Sequence, residues 1–170
     1  MAVIYLVRHA QAEDAGAGGR DHARPLDAAG AAAARRMGRD LRRRGVTPDL
    51  VLCSSACRAR ETWTALASEL AAPPAAEIEE GLYLAAASSL LERMALLPDD
   101  CAAPLVIGHN PGLWQLLRLL VGEAAPETPA MLKPGLPPGA VAAVEVVDGW
   151  SGLAAGGGRL LWLVVPESAA

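Results

Sequence analysis

Met1-Ala2-Val3-Ile4-Tyr5-Leu6-Val7-Arg8-His9-Ala10 opens the chain. Val3 to Val7 is a short apolar run rich in β-branched residues, the composition of a strand buried on both faces of a sheet. Arg8 and His9 follow at its C-terminal end. Ligands bind at that edge of an open α/β sheet, so a cation and an imidazole placed there serve chemistry rather than packing.

A chain of 170 residues suits one domain with a real core. Residues 1–166 are expected to form it, with 167–170 as a tail. Hydrophobic residues make up 52% of the chain and Phe is absent, so Leu, Val, Ile, Ala and four Trp must build the core. No run approaches the roughly 18 apolar residues of a membrane span, and the N-terminus lacks the pattern of a secretory leader. No membrane association and a cytoplasmic location are therefore expected. Cys53, Cys57 and Cys101 are an odd count without a repeated short-spaced pair, which fits neither a disulfide framework nor a zinc site, so reduced thiols are expected and no metal or cofactor. The net charge of -4 argues against a general nucleic-acid binder. All but one of the 15 basic residues are arginine, the side chain suited to bidentate oxyanion recognition, so their placement matters more than their sum.

Gln11 to Asp27 reads as a loop that contains Asp21-His22-Ala23-Arg24-Pro25-Leu26. Asp27 is the N-cap of a first helix with an Ala33, Met37, Leu41 stripe, and Gly45 closes it. Leu50 to Cys53 predicts a second buried strand and Ala56 to Leu70 a helix that stops before Pro73-Pro74, with Arg58 in its first turn. Glu77 to Leu82 predicts a short strand, and Ser88 to Leu97 a helix capped by Ser88 or Ser89. Pro104 to Gly108 repeats the opening pattern and delivers His109-Asn110-Pro111-Gly112, with Asn110 as N-cap and Pro111 as first residue of a helix to about Val121. A proline-rich loop from Gly122 to Gly139 leads to two further strands, Ala140 to Val147 and Leu160 to Val165. The fold class is α/β.

Arg8, His9, Arg58 and His109 thus fall at strand ends, with Arg24 in the intervening loop. Three guanidiniums converging with two imidazoles make a pocket for a dianion, and phosphate is the natural ligand. A neutral imidazole has a free lone pair and attacks phosphorus in line, while the fixed cations neutralise the equatorial oxygens.

These residues resemble those of the histidine phosphatase superfamily. Leu6-Val7-Arg8-His9-Ala10 is similar to its Arg-His-Gly motif, Ser54 to Thr62 to its second arginine segment, and Gly108 to Gly112 to its second histidine segment. Arg24-Pro25-Leu26 resembles an element of the small SixA-type phosphohistidine phosphatases. The resemblance implies a three-layer αβα sandwich with a mostly parallel central sheet between the helices. It also implies that His9 is phosphorylated, that Arg8 and Arg58 bind the phosphoryl group, that His109 completes the pocket and that Arg24 extends it. Ala10 stands where the motif has glycine. Larger members use a carboxylate as general acid; the candidates here are Glu80, Glu13 and Asp14. An imidazole leaving group needs less acid assistance than an alkoxide, which favours a phosphohistidine-bearing protein as the phosphorylated partner. The alternatives are a small-molecule phosphomonoesterase of the same superfamily and a non-catalytic phosphate or phosphoprotein-binding module.

His22 reads as a solvated or substrate-edge residue, and Arg60 as pointing away from Arg58. The basic side chains from Arg35 to Arg44 read as the wet face of an alanine-rich helix, with a basic patch for an acidic partner as the functional alternative. Trp114 is a candidate for the pocket rim.

Overall fold

A computed structural model of the protein describes residues 1–16, 19–122 and 134–166. Six strands, β1 (Ala2–Arg8), β2 (Leu50–Ser54), β3 (Ala76–Glu79), β4 (Pro104–Gly108), β5 (Val141–Val146) and β6 (Gly158–Val164), form one sheet of order β3-β2-β4-β1-β5-β6. Pairings on the β3 side of β1 are parallel, and β5 runs antiparallel to both β1 and β6. Helices α1 (Ala28–Arg43) and α2 (Cys57–Ala67) cover one face, and α3 (Ala87–Ala95) and α4 (Gly112–Val121) the other. The expected αβα sandwich with a mostly parallel sheet is the observed fold.

Alternation along β1 sends Ile4 and Leu6 toward α4 and Val7 toward α1, which is why nearly every residue of the run is apolar. The Asp27 carboxylate accepts from Gly30 N at 2.6 Å as the cap of α1, and Gly45 takes the left-handed φ of 70° just past its end. Gly30 also permits a close approach, since a Cβ there would lie 2.0 Å from the Gln11 carbonyl oxygen.

Several boundaries move. β3 ends at Glu79, and Glu80–Leu82 is a tight 3-10 turn, not strand. α2 stops at Ala67, before Leu70. α3 begins at Ala87 with Ala86 at its cap position, so neither Ser88 nor Ser89 caps it. α4 begins at Gly112 behind Pro111, because the Asn110 amide donates to the Leu136 carbonyl at 2.7 Å instead of capping the helix. Of the proline-rich loop, residues 123–133 lie outside the described residues, as does the expected tail 167–170.

Parallel neighbours deliver their C-terminal ends to one edge. The register sets Arg8 beside Gly108 and Cys53 beside Ile107. The residues that follow, His9, His109 and Ser54, therefore meet side by side, with the N-terminus of α2 above them.

Candidate active site

His9 leaves β1 with its backbone fixed: its N–H donates to the Gly108 carbonyl at 3.2 Å, and its carbonyl accepts from Gly139 N at 3.0 Å. Ala10, fully buried, packs with Leu26 and Ala34, and its N–H donates to Thr62 Oγ1 of α2 at 3.0 Å. A methyl group thus fits where the resembling motif has glycine.

The ring of His9 has an assignable tautomer. Nδ1 lies 2.7 Å from the Ala10 carbonyl oxygen, which only accepts, so Nδ1 carries the proton. Nε2 then holds the lone pair, consistent with the 3.2 Å hydrogen bond it accepts from Arg58 Nε. Burial pushes the His9 pKa down to about 4; the Ala10 hydrogen bond opposes this, and the charges of Arg58, Arg8 and Arg24 add to it. His9 is neutral at pH 7.

His109 packs against it with ring centroids 5.1 Å apart. Arg58 Nη2 donates to His109 Nδ1 at 3.3 Å, so the His109 proton sits on Nε2 and is donated to Ser54 Oγ at 2.7 Å. Burial, then the neighbouring His9 and Arg58, lower its pKa to about 3. Two neutral imidazoles and the guanidiniums tolerate one another because only the guanidiniums are charged.

Arg58 is 3% exposed, in the first turn of α2. A cation there opposes the helix dipole, an arrangement that favours an anion in front of both. Its remaining donors go to Asp21: Nη1 to the backbone carbonyl at 2.8 Å and Nη2 to Oδ2 at 3.1 Å. Arg8 Nη1 donates to the Leu136 carbonyl, while its buried Nε has no acceptor among the described residues. A buried unpaired N–H costs about 1–3 kcal/mol, which an oxyanion in the pocket would offset. Arg24 Nε donates to the Glu13 carbonyl at 2.7 Å and Nη1 to Asp21 Oδ1 at 3.0 Å.

These side chains line an open cavity of about 500 Å³. Arg8, His9, Arg24, Arg58, His109 and Asp14 are all on its wall. Glu80 is not: its carboxylate accepts from Ser55 Oγ at 3.1 Å, and the same hydroxyl lies 2.8 Å from His22 Nε2. Glu13 contributes its carbonyl only. Trp114 borders a different depression with Gln115 and Arg118, so it is not on the rim expected for it. His22 is half-buried, edge-on to Tyr83 with centroids 4.8 Å apart.

Asp21 and Tyr83 are the residues that reading the sequence passed over. The Asp21 carboxylate takes the Tyr83 hydroxyl at 2.6 Å as well as Arg24 and Arg58, and these hold its pKa far below the usual carboxylate range. The signal available was the Asp21–Arg24 spacing of three, which places the pair on one turn. Nothing local pointed to Tyr83 or to Leu84, whose φ of 50° is rare for a branched side chain and which also lines the cavity.

An α/β sandwich that gathers two neutral histidines and three arginines at the carboxyl edge of its strands presents a pocket suited to an oxyanion, the mark of an oxyanion-handling protein. Residues 4–83 match the family model of the histidine phosphatase superfamily, branch 1. The chain is 30% identical over 149 residues, 86% of its length and 92% of the relative's, to the uncharacterized protein Rv1276c of Mycobacterium tuberculosis. It is 29% identical to the chain assigned as phosphohistidine phosphatase SixA from Nakamurella multipartitia, covering 98% of this chain and 97% of that one with a TM-score of 0.82. It is also 25% identical, with 96% of each chain covered and a TM-score of 0.77, to the protein histidine phosphatase SixA complexed with tungstate. The chain belongs to the histidine phosphatase superfamily and is of its SixA type. Phosphatase is the activity that this membership supports.

Proposed function

We propose that the protein removes the phosphoryl group from phosphohistidine on a protein, through a phosphorylated His9 and without a metal. The observation that carries this reading is the His9 tautomer: Nδ1–H is tied to the Ala10 carbonyl, so the Nε2 lone pair faces the pocket beside Arg58. Nε2 attacks phosphorus, the bond from phosphorus to the substrate nitrogen breaks with its electron pair going to that nitrogen, and the substrate imidazole departs as a neutral ring carrying a proton on its other nitrogen. Water then attacks phospho-His9, the P–Nε2 bond breaks, and inorganic phosphate leaves with His9 restored. Arg8 and Arg58 neutralise the phosphoryl oxygens, Arg24 extends their reach, and His109 completes the pocket beside them as charge develops.

The choice of leaving group rests on Asp21. It is the carboxylate that touches the cationic machinery, and its depressed pKa keeps it ionised, so it has no proton to give. An imidazole leaves without strong acid assistance, whereas an alkoxide does not. Asp14, on the cavity wall, is the feature that favours the second reading, a small-molecule phosphomonoesterase in which that carboxylate protonates the leaving oxygen. The superfamily site and the unpaired Cys53, Cys57 and Cys101 fit a protein of the reducing cytoplasm.

The test is single-turnover trapping with a labelled phosphohistidine peptide. The wild type should yield denatured protein carrying acid-labile phosphate, and His9→Ala should yield none. Absence of label in the wild type, with phosphate binding equal in His9→Ala, would assign the chain to a non-catalytic binding module. Hydrolysis of sugar phosphates faster than the peptide, lost in Asp14→Asn, would establish the second reading.

A further inference from the structure

On the face covered by α1 and α2 the cover thins toward β6, whose Trp162 and Val164 are only half-buried. Two helices about 10 Å across cover about 20 Å, whereas six strands about 4.8 Å apart span about 24 Å between the outermost. α1 and α2 also pack unusually close, since a Cβ on Gly38 would sit 2.3 Å from the Leu66 carbonyl oxygen, which narrows their cover further. The result is a groove of about 360 Å³ between α1 and the β5–β6 pair. Its floor is apolar, with Met37, Val141 and Trp162, and its rim carries Arg36, Arg43 and Arg44 against Asp40.

The charge is distinctive in a chain of net -4. Arg43 pairs with Asp40, but Arg44 lies over the Trp162 ring at 4.6 Å, and neither Arg44 nor the exposed Arg36 has a carboxylate partner among the described residues. The groove also adjoins the phosphate pocket. Pro138 lines the pocket and Gly139 lines the groove, and consecutive Cα atoms are about 3.8 Å apart. Gly139 N hydrogen-bonds to the carbonyls of both Arg8 and His9. Beside it β6 is an edge strand, with Leu161 40% exposed.

We infer that this groove holds an acidic, leucine-bearing segment of the protein that presents the phosphohistidine, so that the substrate is gripped at two adjoining places. The inference rests on the phosphohistidine reading of the pocket. Apolar side chains of the segment cover Met37 and Trp162, its carboxylates meet Arg36 and Arg44, and the phosphorylated ring passes over Pro138 to His9. The guanidinium over Trp162 keeps N–H donors for a carboxylate of the segment.

The experiment compares two synthetic phosphohistidine peptides of equal length, one flanked by an aspartate- and leucine-bearing segment and one with the aspartates replaced by lysine. The acidic peptide should have a kcat/KM about tenfold higher, the worth of two or three exposed ion pairs. Arg36→Glu with Arg44→Glu should reverse or erase the preference, and Ala33→Trp, which fills the groove without changing charge, should erase it. Phosphoramidate turnover should stay within about twofold in both, since these residues are remote from His9. Equal kcat/KM for the two peptides, or a preference that survives both variants, would overturn the inference. If the wild type hydrolysed neither peptide nor phosphoramidate, the phosphatase reading would fail. The groove would then be judged by anisotropy of the labelled, unphosphorylated acidic peptide, whose failure to bind overturns the inference. Equal competition by a DNA oligonucleotide, or a dimer that the arginine reversal dissociates, would assign the groove to another occupant and overturn it too.

Discussion

Replacing Asp21 by Asn should make the protein bind inorganic phosphate more tightly while slowing its turnover. The Asp21 carboxylate occupies one Arg58 Nη2 hydrogen at 3.1 Å and one Arg24 Nη1 hydrogen at 3.0 Å, donors that a phosphate oxygen would otherwise use. It is also a negative charge beside the incoming dianion. At about 5 Å, with an effective dielectric near 60 because 44% of its side-chain surface meets water, the repulsion is about 1 kcal/mol per phosphate charge before salt screening. Removing it should therefore tighten phosphate binding roughly tenfold. Arg58 stays in place in the variant, because its Nη1 still donates to the Asp21 backbone carbonyl at 2.8 Å and its other nitrogens to His9 and His109. The loss in kcat should then be modest, about threefold, and come from slower phosphate release. Calorimetric titration with phosphate and product-inhibition kinetics both read the effect. Tyr83→Phe is the control: it removes a 2.6 Å hydrogen bond to the same carboxylate but leaves the charge, so the phosphate Kd should move by less than about twofold. Phosphate affinity that is unchanged or weaker in Asp21→Asn would refute the reasoning and make Asp21 simply a prop for Arg58.

Stability should fall as pH drops below about 6.5, because His9 and His109 have folded pKa values near 4 and 3. Between those values and 6.5 the unfolded chain binds more protons than the folded one, so acid favours unfolding. The urea midpoint should decline already between pH 6.5 and 5, above the range where carboxylates titrate, and His9→Ala should flatten that decline; a flat wild-type profile there would contradict the assigned neutral rings. Glu80→Gln should leave phosphohistidine hydrolysis within about twofold, since its carboxylate is spent on Ser55; a tenfold loss would return Glu80 to the chemistry. Gly112→Ala should cost about 3 kcal/mol and near 10 °C in Tm, because its Cβ would lie 1.9 Å from the Ala85 carbonyl oxygen, whereas Gly81→Ala, with nothing within 4 Å, should be neutral in the same thermal melts.

What could be read in advance divides along a physical line. Strand ends announce themselves: a two-faced buried strand must be apolar, so Arg8-His9 after Val7 and His109 after Gly108 stand out by contrast, and parallel register then brings them together with no further information. Arg58 is legible for a related reason, as a cation where the helix dipole disfavours one. The leaving-group side obeys no such local rule. Its geometry is fixed by a 3-10 turn at Asp21–Ala23 and another at Glu80–Leu82, elements too short to leave a periodic signal, and by a contact between Asp21 and Tyr83 across 62 positions of chain. Hence Glu80, near a strand end like Arg8 and His9, stands among the candidate acids, yet ending β3 at Glu79 turns its carboxylate to Ser55. Asp21, in a segment read only as a loop, carried no such contrast. The same distinction separates the two parts of the cavity wall: Arg8 and Arg58 ride on the sheet and on α2, where a displacement breaks many hydrogen bonds, while Asp14 and Asp21 ride on the segment between β1 and α1, which no sheet register fixes.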